Sequence, residues 1–149
     1  MAKREPKPAV DNDLLIEEFF GDICLIGVMA PMRGYQFCGE LNVTFRMKFE
    51  LSNEIRIQLI RKKRDYFFDV YEYHEPTGTL SYFVYNNKSE GEYLLPELRH
   101  FDYLLMMKGD VVSGDQLEQT MNVLKVINGV QLVTTITHDK IEKKENLVF

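Results

Sequence analysis

The feature that most constrains the fold is a run of strand-like patterns between residues 54 and 85. Apolar side chains alternate with charged or amide side chains over residues 54–59, and residues 67–73 are rich in aromatic and β-branched types. A period of two is typical of half-buried strands, because successive side chains of a strand point to opposite faces. Residues 80–85 then complete a hairpin across a turn at 75–78. This region is therefore predicted to form sheet.

A strand–helix–strand pattern lies on each side of this hairpin. Residues 23–29 form an apolar run, and helical spacing predicts a helix over 32–42. Residues 101–109 predict another strand, Ser113 is placed to cap the next helix, and 130–137 predict a last strand. This order predicts a ferredoxin-like α+β fold: a two-layer sandwich of a mostly antiparallel sheet with two helices on one face and an inserted β-hairpin.

The length of 149 residues favours one domain with short tails. Residues 1–13 are polar and contain two prolines, which predicts a disordered tail. We expect a single α+β domain over 14–138 and a charged C-terminal tail over 139–149. The aromatic residues of the central strands imply that the second sheet face is covered, either by the hairpin or by another subunit.

Charge and cysteine content bear on partners and location. The formal net charge is −5, which argues against nucleic-acid binding, and the basic run at 61–64 is interpreted as a solvated turn. Two cysteines are too few for a disulfide framework. The basic N-terminus has no apolar segment behind it, and the longest uncharged run, residues 126–138 with His138 neutral, has 13 residues, short of the roughly 20 that span a bilayer. We therefore expect a cytoplasmic protein that binds no membrane.

Residues 95–103 provide the most distinctive string, Leu-Pro-Glu-Leu-Arg-His-Phe-Asp-Tyr. It resembles the small bacterial family named for its I-P-E-x-x-x-V-D-Y motif, whose members have a similar length. The motif is matched at Pro96, Glu97, Asp102 and Tyr103. At the two other specified positions, leucine stands in place of isoleucine and phenylalanine in place of valine, both conservative apolar replacements. The resemblance implies no assigned activity and therefore no catalytic residue.

Two carboxylates of this string allow two interpretations. Glu97 and Asp102 are candidates for a pair that shares a proton or binds a ligand. The alternative is structural, in which both accept backbone N–H groups at the turn and at the start of the strand. The single Glu-x-x-His spacing from Glu97 to His100 is not placed on a helix, so we predict no metal site.

The glycines around the first strand–helix junction, Gly27, Gly34 and Gly39, suggest a second candidate. Backbone N–H groups at a helix N-terminus can face an anion there, and Arg33 would assist. The candidate ligand-binding residues are therefore Arg33, Glu97, His100 and Asp102, with no cofactor predicted.

The sequence favours two functional hypotheses, and RNA binding through the aromatic strands is a third. The first is a binding, regulatory or scaffolding protein that forms a homo-oligomer, most simply a dimer, through its aromatic sheet face and contacts an unidentified protein partner. The second is a small-molecule-binding or enzymatic domain with a polar pocket near Glu97 and Asp102. Residues 101–137 resemble half of the ligand-binding domain of feast/famine transcriptional regulators, which implies a dimer and an amino-acid-like ligand.

Overall fold

The computed structural model describes residues 9–76, 78, 80–109 and 112–149. The helices are α1 (Ala9–Phe20), α2 (Gly34–Phe45) and α3 (Gly114–Lys125). The strands are β1 (Ile23–Met29), β2 (Glu50–Arg61), β3 (Arg64–His74), β4 (Ser81–Asn86), β5 (Lys88–Ser89), β6 (Glu92–Tyr93), β7 (Tyr103–Lys108) and β8 (Leu132–Ile136). Short 3-10 turns lie at Pro96–Leu98, His138–Lys140 and Lys144–Leu147.

Six strands form one sheet in the order β2-β3-β4-β7-β1-β8, and each neighbouring pair is antiparallel. The two-residue strands β5 and β6 make a separate small hairpin. The α+β class and the antiparallel character of the sheet, both predicted from the sequence, are confirmed. The central strands β7 and β4 read as nearly continuous apolar runs because both of their faces are covered.

Local signals explain where α3 begins and where α2 begins and ends. The Ser113 hydroxyl accepts the backbone N–H of Gln116 (3.0 Å), as expected of a capping residue. Helix α2 starts two residues later than predicted, and the Gln36 side chain accepts the backbone N–H of Arg33 there (3.0 Å). It ends at Phe45 because Arg46 adopts a left-handed conformation (φ 56°).

One face of the sheet packs against α2 and α3. Their buried side chains, Phe37, Cys38 and Leu41 from α2 and Leu124 from α3, share a core with alternate residues of the central strands. The two predicted helices therefore do lie on the same face.

The other face is covered by segments of the same chain. Helix α1, the connection from β6 to β7, and residues 137–149 contribute buried side chains to a second core. We call residues 137–149 the C-terminal strap. The predicted two-layer arrangement therefore becomes three layers, and neither the hairpin nor a second subunit is needed to cover this face.

Parts of both predicted tails belong to elements of the described structure. Helix α1 begins at Ala9, inside the stretch assigned to the N-terminal tail, whereas residues 1–8 lie outside the described residues. The C-terminal strap carries many charges, but Ile141 and Leu147 are buried in the second core. The charged residues are solvated while the apolar ones between them hold the segment to the sheet.

The described part of the chain contains no helix that is long and apolar enough to cross a membrane.

Candidate functional site

The string at residues 95–103 connects the small hairpin to β7 and packs against the second core. Leu95, Leu98 and Phe101 are buried, and the Phe101 ring lies directly over β1 at Gly27. A Cβ atom at Gly27 would lie 2.7 Å from that ring. Gly27 is thus explained by close packing of Phe101 and not by an anion.

Asn87 holds this connection in place from within the core. Its side-chain amide donates to the carbonyl oxygens of Leu98 (3.0 Å) and Phe101 (2.9 Å), and its carbonyl oxygen accepts the N–H of Leu95 (2.9 Å). The residue is fully buried. Three backbone groups of an irregular segment therefore find their partners in one side chain.

Glu97 binds the C-terminal strap. Its Oε2 accepts the backbone N–H groups of Glu142 and Lys143, both at 2.9 Å. Its Oε1 is buried and has no hydrogen-bond partner within the described residues. The carboxylate acts as the structural acceptor that the sequence offered as one of two interpretations, but its partners lie 45 and 46 residues away.

Asp102 ties the end of β1 to the start of β7. Its Oδ2 accepts the backbone N–H of Ala30 (2.8 Å), and its own N–H donates to the carbonyl of Val28 (2.9 Å). Its carbonyl accepts the N–H of Asn87 (3.0 Å). The side chain and both backbone groups are thus used within the fold.

Tyr103 joins α2 to the same corner of the sheet. Its ring stacks on Phe37 with centroids 4.6 Å apart, and its hydroxyl donates to the carbonyl of Met32. Burial raises the pKa of Tyr103, and the nearby Asp102 carboxylate raises it further. The phenol therefore stays protonated at neutral pH and serves as a hydrogen-bond donor.

The four predicted ligand-binding residues do not converge. Arg33 is exposed at the start of α2, whereas Glu97 lies on the opposite side of the sheet with the C-terminal strap. His100 is exposed, with its ring 4.0 Å from that of Phe101. Within the described residues no hydrogen bond or ion pair links any two of the four, so the geometry does not form the polar pocket expected near Glu97 and Asp102.

Gly34, at the start of α2, is in close contact with β3 and β4. A Cβ atom at Gly34 would lie 2.9 Å from Asn86 Oδ1 and 3.0 Å from the Tyr71 hydroxyl. Gly34 therefore permits the close approach of α2 to β3 and β4.

The basic run at residues 61–64 forms the predicted turn, between β2 and β3. Lys62 and Lys63 take left-handed conformations (φ 52° and 62°), which suits a two-residue hairpin loop. Arg61 and Lys62 approach Glu92, and Arg64 pairs with Glu90 (2.9 Å). The small β5–β6 hairpin thus neutralises much of the run, which leaves a poor phosphate site.

One polar cluster was not anticipated from the sequence. His74 and Ser81 face each other across the β3–β4 hairpin, with Nδ1 2.7 Å from the serine oxygen, and His74 Nε2 lies 3.7 Å from Glu72 Oε2. The order of groups matches a nucleophilic site, but the imidazole is 59% exposed. Strand pairing between residues seven apart is the signal that would have placed the histidine beside the serine.

Two cavities lie elsewhere on the molecule. An open depression of about 380 Å³ runs along the solvent side of α3, and a crevice of about 20 Å³ lies between α2 and α3. Neither is lined by His74, by Ser81 or by the four predicted ligand-binding residues. The smaller one has room for about one water molecule.

The outer edge of β8 is open in the described structure. Within the described part of the chain β8 pairs only with β1, so its other edge has no strand beside it. Its sequence, Leu-Val-Thr-Thr-Ile, contains no charge and no proline. Leu132 is 41% exposed, and Val126, at the end of the neighbouring α3, is 76% exposed. We call Leu132–Ile136 together with Val126 the β8 edge.

Comparison with known proteins adds no relative: no family model, curated protein or solved structure matches the chain. Across the described residues, no group of three or more His, Cys, Asp or Glu side chains is placed to hold a metal ion. The case for function therefore depends on the surfaces of the molecule itself.

Proposed function

We propose that the chain acts by binding rather than by catalysis, as a self-associating regulatory or scaffolding protein whose contact surface is the β8 edge. The observation that carries this proposal is an uncharged edge strand that no other described strand pairs with, and that carries the exposed Leu132. Unpaired N–H and C=O groups along such an edge are a template for pairing with another strand. Exposed apolar side chains beside them add area that association removes from water.

The opposite edge of the sheet gives the contrast that supports this choice. Strand β2 carries Glu50, Glu54, Arg56 and Arg61 and is interrupted between Leu51 and Arg56. At the interruption the Ser52 hydroxyl accepts the N–H groups of Glu54 and Ile55. Charges and irregularities of this kind protect an edge from pairing, and β8 has neither.

The aromatic face that the sequence favoured for self-association is occupied by the chain itself. Phe83 and Tyr85 are buried beneath the C-terminal strap, and the Tyr85 hydroxyl donates to the carbonyl of Leu147 (2.8 Å). The self-association expected from the sequence is therefore proposed at an edge and not at this face.

The test compares Leu132→Lys with Ile60→Lys, which places the same charge on the other edge strand. Both parent side chains are exposed, so each lysine ammonium can reach solvent and the fold should persist. We expect light scattering after size exclusion to give a dimer mass for the native chain and for Ile60→Lys. Leu132→Lys should shift the dimer dissociation constant upward by at least tenfold.

A native chain that stays monomeric at all accessible concentrations would overturn the proposal. So would a Leu132→Lys variant that dimerises as well as the native chain, because the contact surface would then lie elsewhere. Circular dichroism of both variants checks that a change in mass does not come from unfolding.

We also propose that β1, α2, β4, β7, α3 and β8 form a ferredoxin-like unit, with the β2–β3 hairpin inserted after α2. The strand order β4-β7-β1-β8 and the placement of both helices on one face support this arrangement. Membership of the I-P-E-x-x-x-V-D-Y family is proposed on the string at residues 95–103, in which the matching Glu97, Asp102 and Tyr103 side chains each make a hydrogen bond within the fold.

A cytoplasmic location is proposed on the state of the cysteines. Cys24 and Cys38 are both free thiols, which suits a reducing compartment.

A further inference from the structure

We infer that two copies of this chain pair through β8 in an antiparallel register that places Thr134 opposite Thr134 of the second copy. The two six-stranded sheets would then continue as one sheet of twelve strands. This inference rests on the proposed function and adds to it the geometry of the contact. It identifies the partner of the β8 edge as a second copy of the chain.

Closed symmetry limits the registers that are possible. A two-fold axis that places two edge strands side by side and antiparallel runs perpendicular to the sheet. Corresponding faces of the two copies therefore lie on the same side of the continuous sheet. Directly opposite residues of an antiparallel pair point to the same face. The position numbers of opposed residues must therefore add to an even number.

The number of paired residues selects one register among these. When Thr134 is opposite itself, Leu132 is opposite Ile136 of the second copy and Val133 is opposite Thr135 of the second copy. All five residues of β8 are then paired, whereas a shift of two residues leaves two of them without a partner. A shift of one residue would turn the faces over and is incompatible with the closed dimer.

The side chains of β8 suit this register. Leu132 and Ile136 lie on the same face as Thr134, so the dimer would place a leucine against an isoleucine on either side of the central threonine pair. No like charges meet, although each copy carries a net charge of −5. An edge that is uncharged within an acidic protein fits a copy of itself better than it fits a charged partner.

The same register places the two α3 helices together. Val133 packs in the core that α3 shares with β8, and matching faces of the two copies lie on one side of the continuous sheet. Val126 of each copy is then on that side.

The test is cross-linking of cysteines introduced singly at Thr134 and at Thr135 in the full-length chain. Residues that face themselves across an antiparallel pair have Cα atoms about 4.5–5.5 Å apart, within the range of roughly 4.4–6.8 Å that a disulfide spans. Thr135 would face Val133 of the second copy, so two Thr135 positions are offset by two residues along each other's strands and lie about 8 Å apart.

We expect Thr134→Cys to form a disulfide-linked dimer under mild oxidation at least ten times faster than Thr135→Cys, with the native chain as the control for Cys24 and Cys38. Non-reducing electrophoresis and peptide mapping identify the bond. If Thr135→Cys cross-links faster, or if neither variant does although light scattering shows a dimer, the register is overturned while self-association stands. A chain that is monomeric in light scattering overturns both proposals.

Discussion

At the scale of single residues, much of the tertiary organisation depends on polar side chains that bind backbone. Asn87, Glu97 and Asp102 together satisfy six backbone groups in segments that have no regular structure of their own or lie at strand ends. Buried backbone groups need such partners wherever no helix or strand supplies them. The distinctive string at 95–103 is therefore explained by architecture.

The clearest consequence concerns Asn87. Asn87→Ala leaves the Phe101 carbonyl and the Leu95 N–H without their buried partner and removes one of two donors from the Leu98 carbonyl, so we expect the free energy of unfolding to fall by about 3 kcal/mol. Urea denaturation followed by circular dichroism measures the change.

The neighbouring asparagine provides a matched control. Asn86 makes no side-chain hydrogen bond with the described residues, and its Oδ1 is buried without a partner. Asn86→Ala should therefore cost less than about 1 kcal/mol. Equal losses in the two variants would contradict the role assigned to Asn87.

The buried thiol of Cys38 gives a prediction in pH. Burial raises the pKa of Cys38 from 9.0 to about 12, so the folded chain keeps the proton while the unfolded chain releases it above pH 9. The stabilisation is complete below pH 9 and is lost as the pH rises toward 12. Between pH 8 and pH 10 we expect Cys38 to account for a fall of about 1 kcal/mol in the free energy of unfolding.

Urea denaturation across this range, in the native chain and in Cys38→Ala, isolates the effect. The variant should show a flatter dependence on pH, whatever its absolute stability. Cys24, whose pKa is also raised by partial burial, serves as the comparison, and Cys24→Ala should change the slope less. The same slope in the native chain and in Cys38→Ala would rule the explanation out.

At the scale of elements, the sequence predicted best those segments whose structure is indicated by their own local pattern, such as an apolar run or a capping residue. Residues 23–29 were predicted as a strand and form β1, and Ser113 caps α3 as expected. Helix α1 was not predicted from the sequence, because its first half is mostly polar and the buried Phe20 lies only at its end. The C-terminal strap was missed for a similar reason, since charges surround Ile141 and Leu147.

The strap should therefore contribute to stability as part of the core. Leu147 is fully buried, so Leu147→Ala is expected to lower the free energy of unfolding by about 3 kcal/mol through lost burial and the cavity left behind. Glu145→Ala, an exposed position of the same turn, should change it by less than about 0.5 kcal/mol. Denaturation curves that coincide for both variants and the native chain would mean that the strap is not docked in solution.

At the scale of the whole molecule, the sheet lies between two helical or irregular layers and is covered most completely at its centre. Strands β4 and β7 are buried almost throughout. In β2, by contrast, most residues of the first half, 50–56, are exposed. Local opening requires less free energy where fewer apolar contacts must be broken.

We therefore expect backbone amides of residues 104–107 to exchange with solvent most slowly and those of residues 53–56 to exchange orders of magnitude faster. Hydrogen exchange followed by nuclear magnetic resonance or mass spectrometry resolves the two segments. Similar protection in both segments would contradict this prediction. It would show that the sheet opens as a whole and that the free energy of local opening is the same at its centre and at its edge.

The sequence by itself determined the α+β class, most strands, the N-terminal cap of α3 and the turn at 61–64, because each depends on residues that are neighbours in the chain. Only the tertiary structure decided the contacts of Glu97, whose partners are Glu142 and Lys143, and the burial of Leu147, whose carbonyl accepts the Tyr85 hydroxyl. Contacts between residues so far apart in the chain leave no local sequence pattern. A glutamate in a charged turn looks the same whether its carboxylate is solvated or binds a distant backbone segment. The openness of β8 likewise follows from its place at the end of the sheet order and not from its own five residues.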